Sequence, residues 1–315
     1  MISPAFDRRA IPEGATVDRW TAPDGYQLRR FDWPAPQGAR ARGAILFQGG
    51  RGDIFEKYLE TFAHWHQLGW RVTSFDWRGQ GGSGRLTPRP HVGHIDRFER
   101  FIADLGAFWS GWAVHATGPR VAIGHSMGGH LLLRGLAESA IDPQAAVLVA
   151  PMLGLRAPMG VALGERVARA MAAIGNPGRA AWKGNEKPYT TETRQNLLTH
   201  DSARYADELW WQEHNSALLT GPPSWRWVAE AFASTRELRA SPALATIAVP
   251  TLMLVADVDG LVDARAAIAV AERMPAAQLV RFGDESAHEI LREADRVRNR
   301  ALAEIDLFLA AHAPQ

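Results

Sequence analysis

The serine at position 126 stands in a context that could make it a nucleophile. It lies in GHSMG, residues 124–128, with a glycine two residues away on either side. A sharp turn that presents one hydroxyl needs neighbours with almost no side chain, because larger residues would clash there. The pentapeptide alone has little weight, since it arises by chance in roughly one chain of this length in ten. Whether Ser126 is a nucleophile therefore depends on the other residues that could act with it and on the elements that surround it.

Two later segments supply the groups that a serine nucleophile needs. A serine hydroxyl is a poor nucleophile unless a base accepts its proton, and that base must be oriented by an acid. The segment ADVDGLVD, residues 256–263, holds three aspartates, and GDESAHEIL, residues 283–291, holds His288. The pattern indicates nucleophilic catalysis with Ser126 as the attacking group and His288 as its base. The spacing alone leaves the choice among the three aspartates open.

Short apolar runs followed by helical periodicity predict the elements that position these residues. The runs lie at residues 43–47, 71–75, 120–123, 145–150, 251–256 and 278–282. Such alternation with apolar strands predicts an α/β fold, with a mostly parallel sheet covered by helices on both faces. Ser126 follows the third run, the aspartates follow the fifth and His288 follows the sixth. Residues 17–33, around Asp24-Gly25, predict an antiparallel hairpin at the edge of the sheet.

Residues 152–242 interrupt this alternation. They contain helical patches, loop-like stretches and five of the twelve tryptophans. We expect a helical cap, or lid, over 152–242, inserted into a core formed by residues 1–151 and 243–315. Packing of the cap onto the core explains most of these tryptophans. Some of them could instead line an apolar pocket for an acyl chain or contact a membrane surface.

Composition excludes several classes of function. The formal net charge of +1 gives no electrostatic case for a nucleic-acid partner. The absence of cysteine excludes disulfides, thiolate nucleophiles and cysteine-based metal sites. The first twenty residues lack an apolar signal core, and no apolar run approaches the length of about eighteen residues that spans a membrane. We therefore expect a cytoplasmic protein that needs no cofactor and no metal.

Several motifs together resemble those of one serine-hydrolase family. The matching stretches are GRGDIFEKY (50–58), DWRGQGGSGR (76–85), GHIDRF (93–98), GHSMGGHL (124–131), NLLTHDSARY (196–205), VADVDGLVD (255–263) and AHEILRE (287–293). The chain is similar to the lysophospholipase L2-like and monoacylglycerol-lipase-like group of the α/β-hydrolase fold. The resemblance runs from about residue 20 to the end and is weakest near residues 155–190. It implies the α/β-hydrolase fold with an inserted helical cap.

The resemblance also assigns the catalytic residues. It implies Ser126 as nucleophile, His288 as base and Asp259 as the acid, because the family places the acid three residues before the valine matched by Val262. Asp257 and Asp263 are then expected to be a loop-capping carboxylate and a helix N-cap.

An oxyanion hole needs two backbone N–H donors directed at the developing negative charge. One donor is expected at Met127, the residue after the nucleophile. The resemblance implies the other at Arg51, in the sequence QGGRG of residues 48–52. Where the family commonly has His-Gly, this chain has Gly49-Gly50.

These observations predict a serine esterase that cleaves a single-acyl lipid, a lysophospholipid or a monoacylglycerol, through an acyl-enzyme. The lipid assignment comes mostly from the resemblance. The tryptophans of the cap suggest, in addition, transient contact of the cap with a membrane surface. One alternative is an aminopeptidase or amidase on the same scaffold, which needs an acidic cluster to hold the substrate amine. The acidic residues of the cap are too scattered to decide: Glu186, Glu192, Asp201, Asp207, Glu208 and Glu213. Another alternative is a non-catalytic receptor for a small ligand.

Overall fold

The computed structural model describes residues 6–37, 41–157, 160–183 and 193–314, and its centre is one eight-stranded sheet. The strands are β1 (Thr16–Thr21), β2 (Gln27–Trp33), β3 (Gly43–Gln48), β4 (Trp70–Phe75), β5 (Arg120–His125), β6 (Ala145–Val149), β7 (Thr251–Ala256) and β8 (Ala277–Phe282). Their order across the sheet is β1-β2-β4-β3-β5-β6-β7-β8. β2 pairs antiparallel with both β1 and β4, and all the other pairs are parallel.

Helices cover both faces of this sheet. They are α1 (Leu59–Gln67), α2 (Glu99–Val114), α3 (Met127–Ala137), α4 (Val161–Ala173), α5 (Arg194–Leu198), α6 (Ser202–His214), α7 (Trp225–Ala240), α8 (Ala264–Ala271) and α9 (Asp295–His312). Leu46 of β3 packs with the core of α2, α3 and α8, whereas Phe47, the next residue, packs with the core of α1 and α9. Alternate side chains of a strand point to opposite faces, so a strand buried on both faces is apolar throughout.

The predicted α/β fold is confirmed, and the six predicted strands lie within one or two residues of the observed ones. The predicted edge hairpin is also confirmed as β1 and β2, with Gly25 in the turn at a φ of +85°.

The last helix begins later than its apolar stripe suggests. Apolar residues at three-to-four spacing from Ile290 to Phe308 predict a helix that includes Ile290. The observed helix α9 starts only at Asp295, and Ile290 lies in a single 3₁₀ turn. The 3₁₀ turn ends because the backbones of Glu293 and Ala294 are extended. The carbonyl of Arg292 accepts from the Thr199 hydroxyl at 2.8 Å and that of Glu293 from the Arg204 guanidinium at 2.9 Å, so neither is available to a helical ladder.

Four helices, α4 to α7, lie between β6 and β7 and follow the carboxyl end of β6. No strand forms within the described residues of this region, although Leu155 and Ala180 make isolated bridges to Val262 and Ser224. We call α4–α7 the cap helices. The division into a core of 1–151 and 243–315 and a cap of 152–242 stays a prediction.

Candidate active site

Ser126 occupies a strained turn between β5 and α3. Its φ of +52° and ψ of −116° are rare for a residue with a side chain. A Cβ at Gly124 would lie 2.7 Å from the backbone of Gly128, and one at Gly128 would lie 2.2 Å from the Gln48 carbonyl oxygen. Both positions therefore require glycine, which explains the spacing in GHSMG.

Neighbouring strands hold this turn in place. The Ser126 N–H donates to the Val149 carbonyl at 2.9 Å, and the Met152 N–H donates to the Ser126 carbonyl at 2.9 Å. Strained backbone persists only where the surrounding structure fixes it in this way. The turn thus presents the Ser126 hydroxyl above the end of the sheet, at the start of α3.

The structure brings Ser126, His288 and Asp259 together. Ser126 Oγ lies 2.9 Å from His288 Nε2, and His288 Nδ1 lies 2.6 Å from Asp259 Oδ2. Asp259 Oδ1 accepts from the N–H groups of Leu261 at 2.7 Å and Val262 at 3.0 Å. All three side chains are buried. The His288 imidazole therefore contacts both the Ser126 hydroxyl and the Asp259 carboxylate, and two backbone N–H groups hold that carboxylate in place.

The electrostatics of the pair suit a base that becomes charged. Burial tends to raise the pKa of Asp259, but the neighbouring His288 and the two backbone donors lower it below its ordinary value. Burial tends to lower the pKa of His288, but Asp259, with smaller effects from Glu289 and Asp53, raises it above its ordinary value. An ionised Asp259 can thus orient the imidazole and stabilise an imidazolium.

The two neighbouring aspartates have other contacts. Asp263 is the N-cap of α8 and accepts from the Arg265 N–H at 3.1 Å, as predicted. Asp257 does not cap its loop: it forms an exposed ion pair with Arg281 at 2.9 Å, because its side chain points to the edge strand β8. Of the three aspartates, Asp259 alone contacts His288 among the described hydrogen bonds.

The loop of residues 49–53, after β3, lies beside Ser126. Its Gly50 N–H donates to Asp53 Oδ2 at 2.7 Å, and its Gly52 N–H donates to Gln80 Oε1. The two amides that flank Arg51 are therefore used to hold the loop itself. Met127 is the first residue of α3, and N–H groups of a first helical turn have no acceptor within the helix. The assignment of Arg51 and Met127 as oxyanion donors stays a prediction.

A cavity of about 310 Å³ opens above Ser126 and His288, and its wall is mainly apolar. Residues between β6 and β7 and residues after β7 both contribute to this wall: Met152, Leu155, Val167, Leu198, Val228, Phe232, Leu261 and Val262. Trp182, Trp225 and Trp227 also line it, whereas Trp211 packs against the core and donates to the Arg8 carbonyl at 3.0 Å. Two of the three uses of tryptophan considered from the sequence, pocket lining and packing, therefore occur.

The sequence analysis did not detect a cluster of buried charges that lies next to Ser126 and His288. Lys57 Nζ lies 2.5 Å from Asp53 Oδ1, 2.6 Å from Glu289 Oε1 and 3.1 Å from Glu208 Oε2. Arg292 also pairs with Glu208 and Glu289. One sequence signal could have indicated this cluster: Asp53 and Lys57 lie in the motif GRGDIFEKY, and Glu289 and Arg292 lie in AHEILRE. Charged residues are almost never fully buried unless paired. Lys57 pairs with Glu208 and Glu289, which are distant from it in the chain.

Comparison with known proteins identifies the family. The model of the Hydrolase_4 family, described as "Serine aminopeptidase, S33", matches residues 39–295. The chain belongs to this family. The match covers the loop of residues 49–53, the turn at Ser126, the cap helices and the segments of Asp259 and His288.

Curated relatives of this Hydrolase_4 protein match along nearly all of its length. It is 31% identical to lysophospholipase L2 of Escherichia coli strain K12, over 97% of this chain and 93% of that protein. It is 26% identical to a probable lysophospholipase L2 of Haemophilus influenzae, over 85% and 84% of the two chains.

Solved structures share the fold. A soluble variant of monoglyceride lipase from Saccharomyces cerevisiae superimposes with a TM-score of 0.76 at 19% identity, over 99% of both chains. Monoacylglycerol lipase of Paleococcus ferrophilus gives a TM-score of 0.69 at 18% identity, over 90% of this chain and 98% of that one. Among the described residues, no helix combines the length and the apolar character needed to cross a bilayer.

Proposed function

We propose that this Hydrolase_4 protein is a serine hydrolase that cleaves carboxylic esters of single-acyl lipids through an acyl-enzyme on Ser126. The observation that carries the proposal is the hydrogen-bonded set Ser126–His288–Asp259 at the base of an apolar cavity. Relatives named lysophospholipase L2 and neighbours named monoglyceride lipase support a lysophospholipid or a monoacylglycerol as the substrate class. We also propose that the protein acts in the cytoplasm, as expected from its sequence.

In the acylation step His288 Nε2 takes the proton of Ser126 Oγ as this oxygen attacks the ester carbonyl carbon. The carbonyl oxygen becomes an oxyanion, which the N–H groups of Arg51 and Met127 stabilise. When the oxyanion reforms the carbonyl, the ester C–O bond breaks and the imidazolium gives its proton to the leaving alkoxide. The products of this step are the free alcohol and acyl-Ser126.

Deacylation repeats the sequence with water. His288 removes a proton from water, and the hydroxide attacks the acyl carbon of the Ser126 ester. Collapse of the second tetrahedral intermediate returns the proton from His288 to Ser126 Oγ and releases a fatty acid. Asp259 stays ionised throughout and stabilises the imidazolium in both steps.

The cavity suits one acyl chain better than an amine. An aminopeptidase needs a carboxylate free to bind the substrate ammonium, but the described acidic residues of the cavity wall, Asp53 and Glu289, both bind Lys57. Of the acidic residues considered in the cap, Asp201 caps α6 and Asp207 binds Arg8.

The remaining acidic residues of the cap provide no described carboxylate at the cavity for a substrate ammonium group either. Glu208 binds Lys57, Arg194 and Arg292. Glu213 is exposed on α6, away from the cavity wall as described, and Glu186 and Glu192 lie outside the described residues. The aminopeptidase reading, although it matches the description of the family model, is therefore less favoured than the esterase.

We further propose that α4 contacts the lipid surface from which the substrate comes. Leu163 and Val167 lie one turn apart on α4, and Ile174 directly follows the helix; these residues are 44%, 36% and 65% exposed. Val167 also lines the cavity, so this apolar stripe continues into the wall above Ser126. An amphipathic helix can insert such a stripe at a membrane interface.

A series of p-nitrophenyl esters of increasing acyl length tests the proposed function. We expect kcat/KM to rise from acetate towards longer acyl chains, and Ser126→Ala to abolish turnover by removing the nucleophile. Ser110→Ala, at an exposed position on α2, is the matched control and should keep full activity. Turnover confined to aminoacyl anilides would favour the aminopeptidase. Failure of a fluorophosphonate probe to label Ser126 would favour the receptor.

A further inference from the structure

We propose that Lys57 is a positioning residue of this active site, whose ammonium group holds the loop 49–53, the His288 segment and the cap helix α6 at one point. The inference rests on the proposed function. It concerns a side chain that lies outside the reacting atoms.

Lys57 lies at the centre of three carboxylates from three parts of the chain. Its side chain is 1% exposed, and its three donors face Asp53, Glu289 and Glu208 at 2.5, 2.6 and 3.1 Å. Asp53 belongs to the loop after β3, Glu289 follows His288, and Glu208 lies on α6. An ammonium group has three N–H donors, so the three carboxylates match its full hydrogen-bonding capacity.

Through Asp53, Lys57 acts on the surroundings of Ser126. The second oxygen of Asp53 accepts from the Gly50 N–H at 2.7 Å and from the Tyr58 hydroxyl at 2.8 Å, and lies 3.0 Å from His125 Nδ1. The backbone of Gly50 is so close to the nucleophile that a Cβ there would lie 3.0 Å from Ser126 Cβ. The orientation of Asp53 therefore sets the position of the loop that carries Arg51.

Through Glu289, Lys57 acts on the segment of the base. The Glu289 N–H donates to the Leu198 carbonyl at 2.7 Å, and the His288 carbonyl oxygen lies 3.3 Å from His125 Nε2. His125 thus contacts Asp53 with one ring nitrogen and the His288 backbone with the other. Lys57 joins the same two segments by binding Asp53 and Glu289.

The cluster also acts on His288 by charge. The polar groups that act directly on this base are Asp259 after β7, Ser126 after β5, His125 at the end of β5, Asp53 after β3 and the adjacent Glu289. Behind them, the cluster adds Lys57 and Tyr58 after β3, Glu208 of α6, Arg194 of α5 and Arg292. Glu289 and Asp53 both raise the pKa of His288, and Lys57 neutralises these two carboxylates. Loss of the ammonium charge would therefore strengthen their effect on the base.

Replacement of Lys57 by methionine tests the inference, because it removes the charge and keeps the length of the side chain. On a soluble p-nitrophenyl ester we expect kcat to fall about 10- to 100-fold, the size of effect that a small misplacement of catalytic groups produces. KM should change little. The acid limb of the pH profile of kcat/KM, which reports the free base, should move to higher pH.

Two further variants separate positioning from the loss of an ion pair elsewhere in the fold. Arg71→Met breaks the pair of Arg71 with Asp32 at the opposite end of the sheet, and should lower stability without moving the acid limb. Glu208→Gln gives the cluster one excess positive charge, so its acid limb should move to lower pH. Opposite shifts for Lys57→Met and Glu208→Gln are the result that a merely structural role would not give.

The outcomes are distinguishable from failure of the proposed function. If wild-type Ser126 does not react with a fluorophosphonate probe, the proposed function and this inference both fall. If the wild type reacts and folded Lys57→Met has the kcat and the acid limb of Arg71→Met, only the role of Lys57 is overturned. If Lys57→Met does not fold, Glu208→Gln decides: a shift to lower pH supports the role, and an unchanged acid limb overturns it.

Discussion

At the scale of single residues, Asp259 differs from its neighbours in what its two oxygens bind. One oxygen contacts His288, and the other accepts two backbone N–H groups, so the carboxylate cannot rotate away from the base. Asp257 binds Arg281 at the surface, and Asp263 caps α8. A carboxylate that orients a base must be held by groups other than that base, and Asp259 alone of the three combines both contacts.

Asp259→Asn and Asp257→Asn are therefore expected to behave differently. Asn keeps the shape at position 259 but favours the wrong tautomer of His288, so kcat should fall about 10⁴-fold, as in the serine-protease triad. Asp257→Asn removes only an exposed ion pair and should stay within about twofold of wild type. Initial rates on a short p-nitrophenyl ester measure both. If activity collapsed in Asp257→Asn while Asp259→Asn stayed active, the acid would be Asp257 and not Asp259.

At the scale of elements, the strands and the turn at Ser126 were predictable because local composition determines them. β3 packs on both faces, so each of its positions is buried and the run is apolar. The turn after β5 needs glycine at 124 and 128 for steric reasons that the sequence displays directly. Features that depend only on neighbours along the chain can be found without a structure.

The start of α9 and the cluster around Lys57 were not predictable in this way. The apolar stripe begins at Ile290, before the first turn of α9, but the Arg292 and Glu293 carbonyls bind side chains of distant residues and no α-helix forms there. Lys57 and Glu289 are 232 positions apart, and no local pattern indicates that they meet. Periodicity describes one element at a time, whereas buried ion pairs depend on how distant elements pack.

The apolar stripe of α4 makes a prediction about lipid surfaces. Leu163→Asp places a charge in the stripe without touching the described cavity wall, so it should lower the fraction of protein that sediments with phospholipid vesicles. Hydrolysis of a vesicle-borne single-acyl lipid should fall more than hydrolysis of a soluble ester. Leu307→Asp, at a 70% exposed leucine on α9, is the matched control. Equal vesicle binding by the two variants would contradict a role for α4 at the interface.

At the scale of the whole molecule, the site depends on segments that meet at one edge of the sheet. The segments after β3, β5, β7 and β8 carry Asp53, Ser126, Asp259 and His288, and all four strands are parallel, so their carboxyl ends coincide. The cap helices dock on this edge through buried polar groups as well as apolar ones. Glu208 of α6 binds Lys57, and Ser234 of α7 accepts or donates a hydrogen bond at 2.7 Å from His130 of α3.

The contact of His130 with α7 makes the stability of the whole fold dependent on pH. Burial, with a smaller effect from Arg134, lowers the pKa of His130 from an ordinary value of 6.5 to about 3. The unfolded chain therefore binds more protons than the folded chain between these values, and stability falls as the pH drops below about 6.5. From pH 6.5 to 5 this residue alone should account for a loss of about 1.5 kcal/mol in the free energy of unfolding.

Urea unfolding of the wild type, His130→Gln and His115→Gln at pH 6.5 and 5 measures this effect. Gln cannot be protonated in this range, so His130→Gln should lose less stability between the two pH values than the wild type, whatever its stability at pH 6.5. His115 is exposed, and His115→Gln should follow the wild type. Equal losses in all three proteins would mean that the imidazole of His130 is reached by protons in the folded state, and that α7 is not held against α3 by a neutral histidine.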